Sequence, residues 1–313
     1  MNRRILITGI QGFVGSNFTK SWKNKFVLFG LDINQKPKEG IKDFFSWDSL
    51  DKIPKNDVII HLAGKAHDTK NQSEAQVYFD INTGLTQKIF DFFLQSSTKK
   101  FIYFSSVKAA ADRVEGEILT EDVVPQPVGP YGESKIKAEA YIISKKDEYE
   151  RLGKKVYIIR PCMIHGPGNK GNLNLLYSIV KKNIPWPLGV YDNKRSFCSI
   201  DNMTYVVEQL IVKDVSSGIY HVCDDKPVST NELIEIINES LNKKSRIFNL
   251  PKAFINGLAK MGDILHLPLN SQRLQKLTEN YVVSNNKIKL ALGINKLPLS
   301  AKEGLQKTIE SFK

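Results

Sequence analysis

The chain has 313 residues, 41% of them hydrophobic, and its 45 lysines and arginines against 33 aspartates and glutamates give a formal net charge of +12. That length holds one large α/β domain with a smaller partner and a sizeable core, and excludes a disordered chain. No apolar run reaches the ~18 residues needed to span a bilayer and no cleavable apolar leader precedes the first strand, so the chain reads as cytoplasmic, without membrane insertion. The basic balance implies neither a nucleic-acid partner nor a membrane surface: the lysines are scattered in pairs such as Lys99-Lys100, Lys154-Lys155 and Lys243-Lys244, with no arginine cluster and interleaved aromatics. Cys162, Cys198 and Cys223 lie far apart, which implies reduced thiols and neither a disulfide framework nor a metal site.

In chain order, Arg4 to Ile7 reads as an apolar strand running straight into Thr8 to Gly15, where glycines stand three apart at 9, 12 and 15. Gly9 tightens the turn, Gly12 lets backbone N–H groups approach a pyrophosphate, and Gly15 lets the next helix pack close, with the anion at the helix N-terminus. Val27 to Leu31 is a second strand. Asp32 ends it about 20 residues on, where a carboxylate holds the ribose 2′-hydroxyl of NAD and repels the 2′-phosphate of NADP. Strands follow at Val58 to Ile60, Phe101 to Phe104 and Val156 to Ile159, with helical stretches at Gln87 to Leu94 and Ser134 to Ile143. Such alternation predicts a doubly wound, Rossmann-type parallel sheet. A late strand, Gly218 to Val222, extends the same sheet. The segment from Gly166 to Arg195 turns to Gly, Pro and Asn, and Pro227 to Lys313 is mostly helical by pattern. The expected division is a cofactor domain over 1–165, with 196–222 returning to it, and a smaller, mostly helical substrate part from 166–195 and 223–313.

Tyr131 and Lys135 are four apart and share one helix face, where an ammonium beside the phenol favours phenolate and lowers its pKa from about 10. Tyr131 is thus an acid/base candidate at a carbinol oxygen. Ser105 and Ser106 close the Phe101 strand, which brings Ser106 to the sheet edge within reach of a substrate hydroxyl or carbonyl, with Ser105 structural. A Tyr-x-x-x-Lys pair alone is commonplace on helix surfaces, and a serine pair alone is a turn signal.

Together, Thr8 to Gly15, Asp32, His61 to Gly64, Asn82, Ser105-Ser106, Tyr131 to Lys135, and Arg160-Pro161 followed by Gly166 to Gly168 resemble the extended short-chain dehydrogenases/reductases. The resemblance is to their nucleotide-sugar epimerase/dehydratase group and covers nearly the whole chain. It implies an enzyme with Ser106, Tyr131 and Lys135 as catalytic triad, Tyr131 exchanging the sugar hydroxyl proton as hydride passes to or from the nicotinamide. It implies that Gly9, Gly12, Phe13, Val14 and Gly15 line the pyrophosphate, that Asp32 meets the adenosine ribose, that Ala63 and Gly64 meet the cofactor's midsection, and that Tyr131 and Lys135 also touch the cofactor. Asp48 either reaches the adenine or is a solvated loop aspartate. In that family Asn82 more often buttresses the sheet than touches ligand, and His165 is either packing or a support behind the site.

On the substrate side, Asn193 to Asp201 resembles the segment in which an arginine pairs with a nucleotide-sugar diphosphate. Arg195 is the candidate, against a solvated arginine in a hairpin. Lys170-Gly171-Asn172 resembles the nucleotide-contacting loop, with Asn172 as the contact. Many family members carry Val-Tyr-Gly after the serine; here Val107-Lys108-Ala109 stands there, so Lys108 enters a loop that borders the sugar. The loop looks most like that of enzymes reducing a UDP-4-keto-6-deoxy-hexosamine for surface polysaccharides, the first expectation. The alternative is a UDP-hexose or UDP-N-acetylhexosamine 4-epimerase with tightly bound NAD, and a non-catalytic dinucleotide-binding regulator stands behind both. A UDP-sugar and NAD rather than NADP are the expected ligands. A homodimer is an open option.

Overall fold

The computed structural model describes residues 3–65, 74–169, 172–265 and 270–313. Its framework is a seven-stranded parallel sheet in the order β3-β2-β1-β4-β5-β6-β9. These strands are β1 (Arg4–Thr8), β2 (Val27–Leu31), β3 (Ile41–Phe45), β4 (Val58–His61), β5 (Lys100–Phe104), β6 (Lys155–Pro161) and β9 (Gly218–Val222); a separate parallel pair joins β7 (Met163–His165) to β8 (Phe197–Ser199). The expected Rossmann-type sheet is present, and Gly218–Val222 closes its edge beside β6.

Period-two alternation divides each strand between two cores. Ile5, Ile7, Val58, Ile60, Ile102 and Ile159 face one side, against Phe18 and Trp22 of the helix Phe13–Trp22 and Met203, Val206 and Leu210 of the helix Ile200–Val212. Leu6, Phe29, Ile59, Phe101 and Ile158 face the other, against Ile89, Phe90 and Phe93 of the helix Leu85–Gln95 and Ala138 and Ile142 of the helix Gly129–Ser144. A third cluster lies in the C-terminal part, where Leu173, Leu176 and Tyr177 meet Leu233, Ile237, Leu305 and Ile309. Strand order reverses around β1 and β4, so the C-terminal ends of these strands, Thr8 and His61, open the crevice where such sheets take ligands. Among the described residues no helix is long and apolar enough to cross a membrane.

Candidate active site

The turn after β1 needs its glycines for two different reasons. Gly9 has φ +68°, and a Cβ there would stand 2.7 Å from the Ala63 nitrogen. The bare backbone lets the ends of β1 and β4 meet. A Cβ on Gly15 would stand 2.7 Å from both Cα and O of Ile10, so the first helical turn closes onto the loop. Gly12 is different: it is exposed, a Cβ on it would meet only the Gly9 oxygen at 3.2 Å, and as N-cap it gives the helix no side-chain hydrogen bond. Phe13 and Val14 follow it, half-buried. The result is an open, positively polarised helix N-terminus. Lys38 adds a cation there, donating to the Ile10 carbonyl and the Ser16 hydroxyl, each at 2.8 Å. Burial lowers its pKa and Asp32 opposes that.

Asp32 follows β2, and its carboxylate accepts the Gln11 N–H at 3.0 Å and the Asn34 N–H at 3.2 Å. It therefore ties the glycine turn to the end of β2. Replacing Asp32 by Ala together with Asn34 by Arg is expected to weaken NAD by roughly 10- to 150-fold, the equivalent of about 1.5–3 kcal/mol for a hydrogen bond to a charged group, and to admit NADP. Direct titration of both cofactors reads the change; a wild-type preference for NADPH contradicts this role.

His61 holds the opposite rim. Its Nδ1 pairs with the Thr8 hydroxyl at 2.6 Å and its Nε2 with Thr86 at 2.9 Å, while Thr8 accepts the Ala63 N–H at 3.0 Å. Burial, with Lys135 second, drives His61 down to about 3, so it stays a neutral tether. Gly64 is exposed, and a Cβ on it would lie 2.9 Å from Asn82 Oδ1 and 3.2 Å from Lys135 Nζ. Buried Asn82 ties this loop to the helix Gly129–Ser144 through Lys65 N–H at 2.7 Å and Ser134 Oγ at 2.9 Å, a buttress as the sequence predicts.

Ser106, Tyr131 and Lys135 converge at the end of β5. Ser106 caps the short helix Val107–Ala110, accepting the Lys108 N–H at 3.2 Å, and its hydroxyl hydrogen-bonds that of Tyr131. A Cβ on Gly132 would stand 2.6 Å from the Lys108 carbonyl oxygen, so only glycine after Tyr131 lets the two helix starts close up. Lys135 is buried and donates to the Phe104 carbonyl at 2.8 Å. The sequence reading expected Lys135 to pull the phenol down, and the structure corrects this. Burial raises the Tyr131 pKa, the lowering contribution is the Ser106 hydrogen bond, and the Lys135 ammonium is turned to the β5 carbonyl. Burial also brings Lys135 down to about 8, opposed by Glu139 one turn further on. Glu139, which no spacing marks, is itself gripped by Arg160 through Nε at 3.0 Å and Nη2 at 2.6 Å, and by the Ser105 hydroxyl. Ser105 is thus structural.

Beyond Ser106, Tyr281 joins residues that spacing could not connect. Its hydroxyl donates to the Ala111 carbonyl at 2.7 Å, the Lys108 ammonium lies 4.6 Å from its ring centre, and its backbone bridges that of Arg195. Lys108 also pairs with Asp112 at 3.0 Å. Arg195 is half-buried and donates to the carbonyl of Lys276. Lys108 and Arg195 therefore share one neighbourhood, continuous with Ser106. Asn172 opens the helix Asn172–Lys181, but its side chain, with Lys170 and Gly171, lies outside the described residues. Asp48 is exposed in the turn after β3. His165 is packed away, with Nδ1 on the Thr308 hydroxyl at 2.8 Å.

An open helix N-terminus, a carboxylate at the end of β2 and a buried ammonium beside paired hydroxyls fit a nicotinamide dinucleotide. No cluster fit for a metal occurs among the described residues.

Comparison with known proteins agrees with that fit. UDP-glucose 4-epimerase of Vibrio cholerae is 29% identical over 100% of this chain and 96% of its own length. N-acetyl-alpha-D-glucosaminyl-diphospho-ditrans,octacis-undecaprenol 4-epimerase of Escherichia coli O157:H7 is 28% identical over 80% of this chain and 76% of its own. The crystal structure of UDP-glucose 4-epimerase from Thermotoga maritima with UDP-glucose has the same fold, with TM-score 0.74 at 19% identity, covering 99% of this chain and 98% of that one. The model of the NAD dependent epimerase/dehydratase family matches residues 5–228, more than half of the chain. The chain is a member of the NAD dependent epimerase/dehydratase family, and so an NAD-dependent enzyme of the nucleotide-sugar epimerase, dehydratase and reductase type.

Proposed function

We propose that the protein inverts C4 of a UDP-sugar, taking hydride from C4 and returning it to the opposite face without net consumption of NAD. The observation that carries this reading is the Ser106–Tyr131 hydroxyl pair closing β5 beside Lys135 and Gly64. Tyr131 takes the C4 hydroxyl proton and gives it back, Ser106 hydrogen-bonds the same oxygen as charge develops, and Lys135 holds the nicotinamide ribose. NAD, when bound, would supply the hydride acceptor and donor. Gly9, Gly12, Phe13, Val14 and Gly15 would hold its pyrophosphate, Asp32 its adenosine ribose, and Ala63 and Gly64 its midsection. Asp48, exposed in the turn after β3, would meet the adenine or stay a solvated loop aspartate. Lys108, Asn172 and Arg195 serve the sugar nucleotide, and the C-terminal part around Leu233, Leu305 and Ile309 roofs the cleft. The free, buried cysteines suit a cytoplasmic enzyme.

Both relatives named above are 4-epimerases by name, which favours inversion over reduction. Reduction of a UDP-4-keto-6-deoxy-hexosamine is the second reading, favoured by Lys108 in the loop after Ser106. Proton NMR separates them: an epimerase converts UDP-glucose or UDP-N-acetylglucosamine into a mixture of C4 epimers with no added NADH. A reductase leaves both unchanged and consumes NADH only with a 4-keto sugar.

Arg195→Ala is expected to raise KM for the UDP-sugar by roughly 10- to 150-fold, the value of a lost charge-assisted hydrogen bond, with NAD affinity unchanged. Arg195→Lys recovers part of the loss, because it keeps the charge without the paired donors. An unchanged KM in steady-state kinetics removes Arg195 from the diphosphate site.

A further inference from the structure

The helix Lys252–Leu265 presents two apolar faces, and only one of them is covered. Ile255, Ala259 and Gly262, spaced by four and three, face the protein and are buried. Phe254, Leu258, Met261 and Leu265, spaced by four, three and four, lie along a neighbouring face with exposures of 55%, 40%, 53% and 60%, and Ile264 beside them is 76% exposed. Singly exposed apolar residues need no explanation, but a contiguous stripe of five on one helix marks a binding surface.

The charge around this helix is lopsided. From residue 243 to 279 the chain carries Lys243, Lys244, Arg246, Lys252, Lys260, Arg273 and Lys276 against only Asp263 and Glu279. Asp263 is engaged locally, accepting the Ser271 N–H at 3.0 Å and the Ser271 hydroxyl at 2.5 Å. Among the described residues Lys243, Lys244, Arg246, Lys252, Lys260 and Lys276 join no carboxylate in an ion pair. Packing of the helix Ser271–Thr278 on Lys252–Leu265 adds Arg273 and Lys276 to the Lys252 and Lys260 of the apolar helix itself, while Lys243 bonds the carbonyls of Val180 and Lys181 away from it.

We propose that the helix Lys252–Leu265 and its basic surroundings dock this protein on an anionic lipid bilayer. An apolar stripe flanked by lysines lies in the headgroup plane, burying the apolar side chains while the ammonium groups meet lipid phosphates. The charge chooses this occupant over a second copy of the chain, since two such faces would oppose cation to cation. Docking places the substrate end of the cleft near the membrane, because the Arg195 guanidinium bonds the Lys276 carbonyl on the adjoining helix. It rests on the helix surface and does not depend on which C4 chemistry the enzyme performs.

The test is flotation of the full chain with phosphatidylcholine vesicles, with and without roughly 30% phosphatidylglycerol, at about 0.1 M salt. The wild type is expected to float with the anionic vesicles only and to be released as salt rises. Met261→Glu with Ile264→Glu should cut partitioning by at least about tenfold, and Lys252→Glu with Lys260→Glu by roughly fivefold per lysine. Both variants change exposed side chains, so their melting temperature and their turnover of a soluble UDP-sugar should match wild type. Equal binding to neutral and anionic vesicles, no binding to either, or variants that float like wild type would overturn the proposal. So would a vesicle-free wild-type dimer, seen by light scattering, that the Met261→Glu, Ile264→Glu variant splits into monomers.

Discussion

Tyr131→Phe is expected to lower kcat by roughly 100- to 10,000-fold, the range for losing a positioned general acid/base, with NAD affinity nearly unchanged. The substitution removes one hydroxyl and leaves the ring, so the edge-on contact with Tyr78 at 6.4 Å persists. Lys135 is anchored independently on the Phe104 carbonyl at 2.8 Å, so its position does not depend on the phenol. The Ser106 hydroxyl loses a partner. Steady-state turnover with a parallel NAD titration separates the two effects. A matched fall in NAD affinity would make Tyr131 a structural residue instead of the acid/base.

Gly9→Ala is expected to be the most damaging single change in the cofactor loop. At φ +68° an alanine carries left-handed strain of about 1–2 kcal/mol. Its Cβ would also stand 2.7 Å from the Ala63 nitrogen and 2.8 Å from the Ala63 Cα, so β1 and β4 must part at the crevice. The sum is about 2–4 kcal/mol of stability and a loss of NAD affinity beyond tenfold. Gly116→Ala is the control. Gly116 has φ +83° with nothing within 4 Å of an added Cβ, so it should cost only the backbone strain and leave NAD binding intact. Equal effects of the two variants on NAD affinity, by calorimetry, would show that the contact of Gly9 with Ala63 is not what shapes the cofactor loop.

The central strands are legible because burial on both faces leaves unbroken apolar runs such as Val58 to Ile60 and Phe101 to Phe104. Ile41–Phe45 is not, since an edge strand carrying Lys42 and Asp43 loses that signal. Nor is the pairing of β7 with β8, two three-residue strands joined only through tertiary contact. The helix bearing Tyr131 begins at Gly129, well ahead of the apolar stretch from Ser134, because Pro130 in its first turn needs no backbone donor. In the site, Gly9, Asp32, Ser106, Tyr131 and Lys135 are marked by spacing, for their chemistry is tied to one turn or one helix face. The direction of the Lys135 ammonium toward Phe104, the support of Glu139 by Arg160, and the meeting of Lys108 and Arg195 at Tyr281 depend on strands far apart in sequence. Lys38 is silent for the same reason: only the fold brings it to the start of the helix Phe13–Trp22.

The most direct test of C4 inversion uses a UDP-sugar carrying deuterium at C4, incubated with the enzyme and NAD in ordinary water and followed by NMR and mass spectrometry. Hydride held within the site and returned to the opposite face predicts the C4 epimer with its deuterium retained. Deuterium lost to solvent at C4, or a sugar that never changes configuration, would contradict the account.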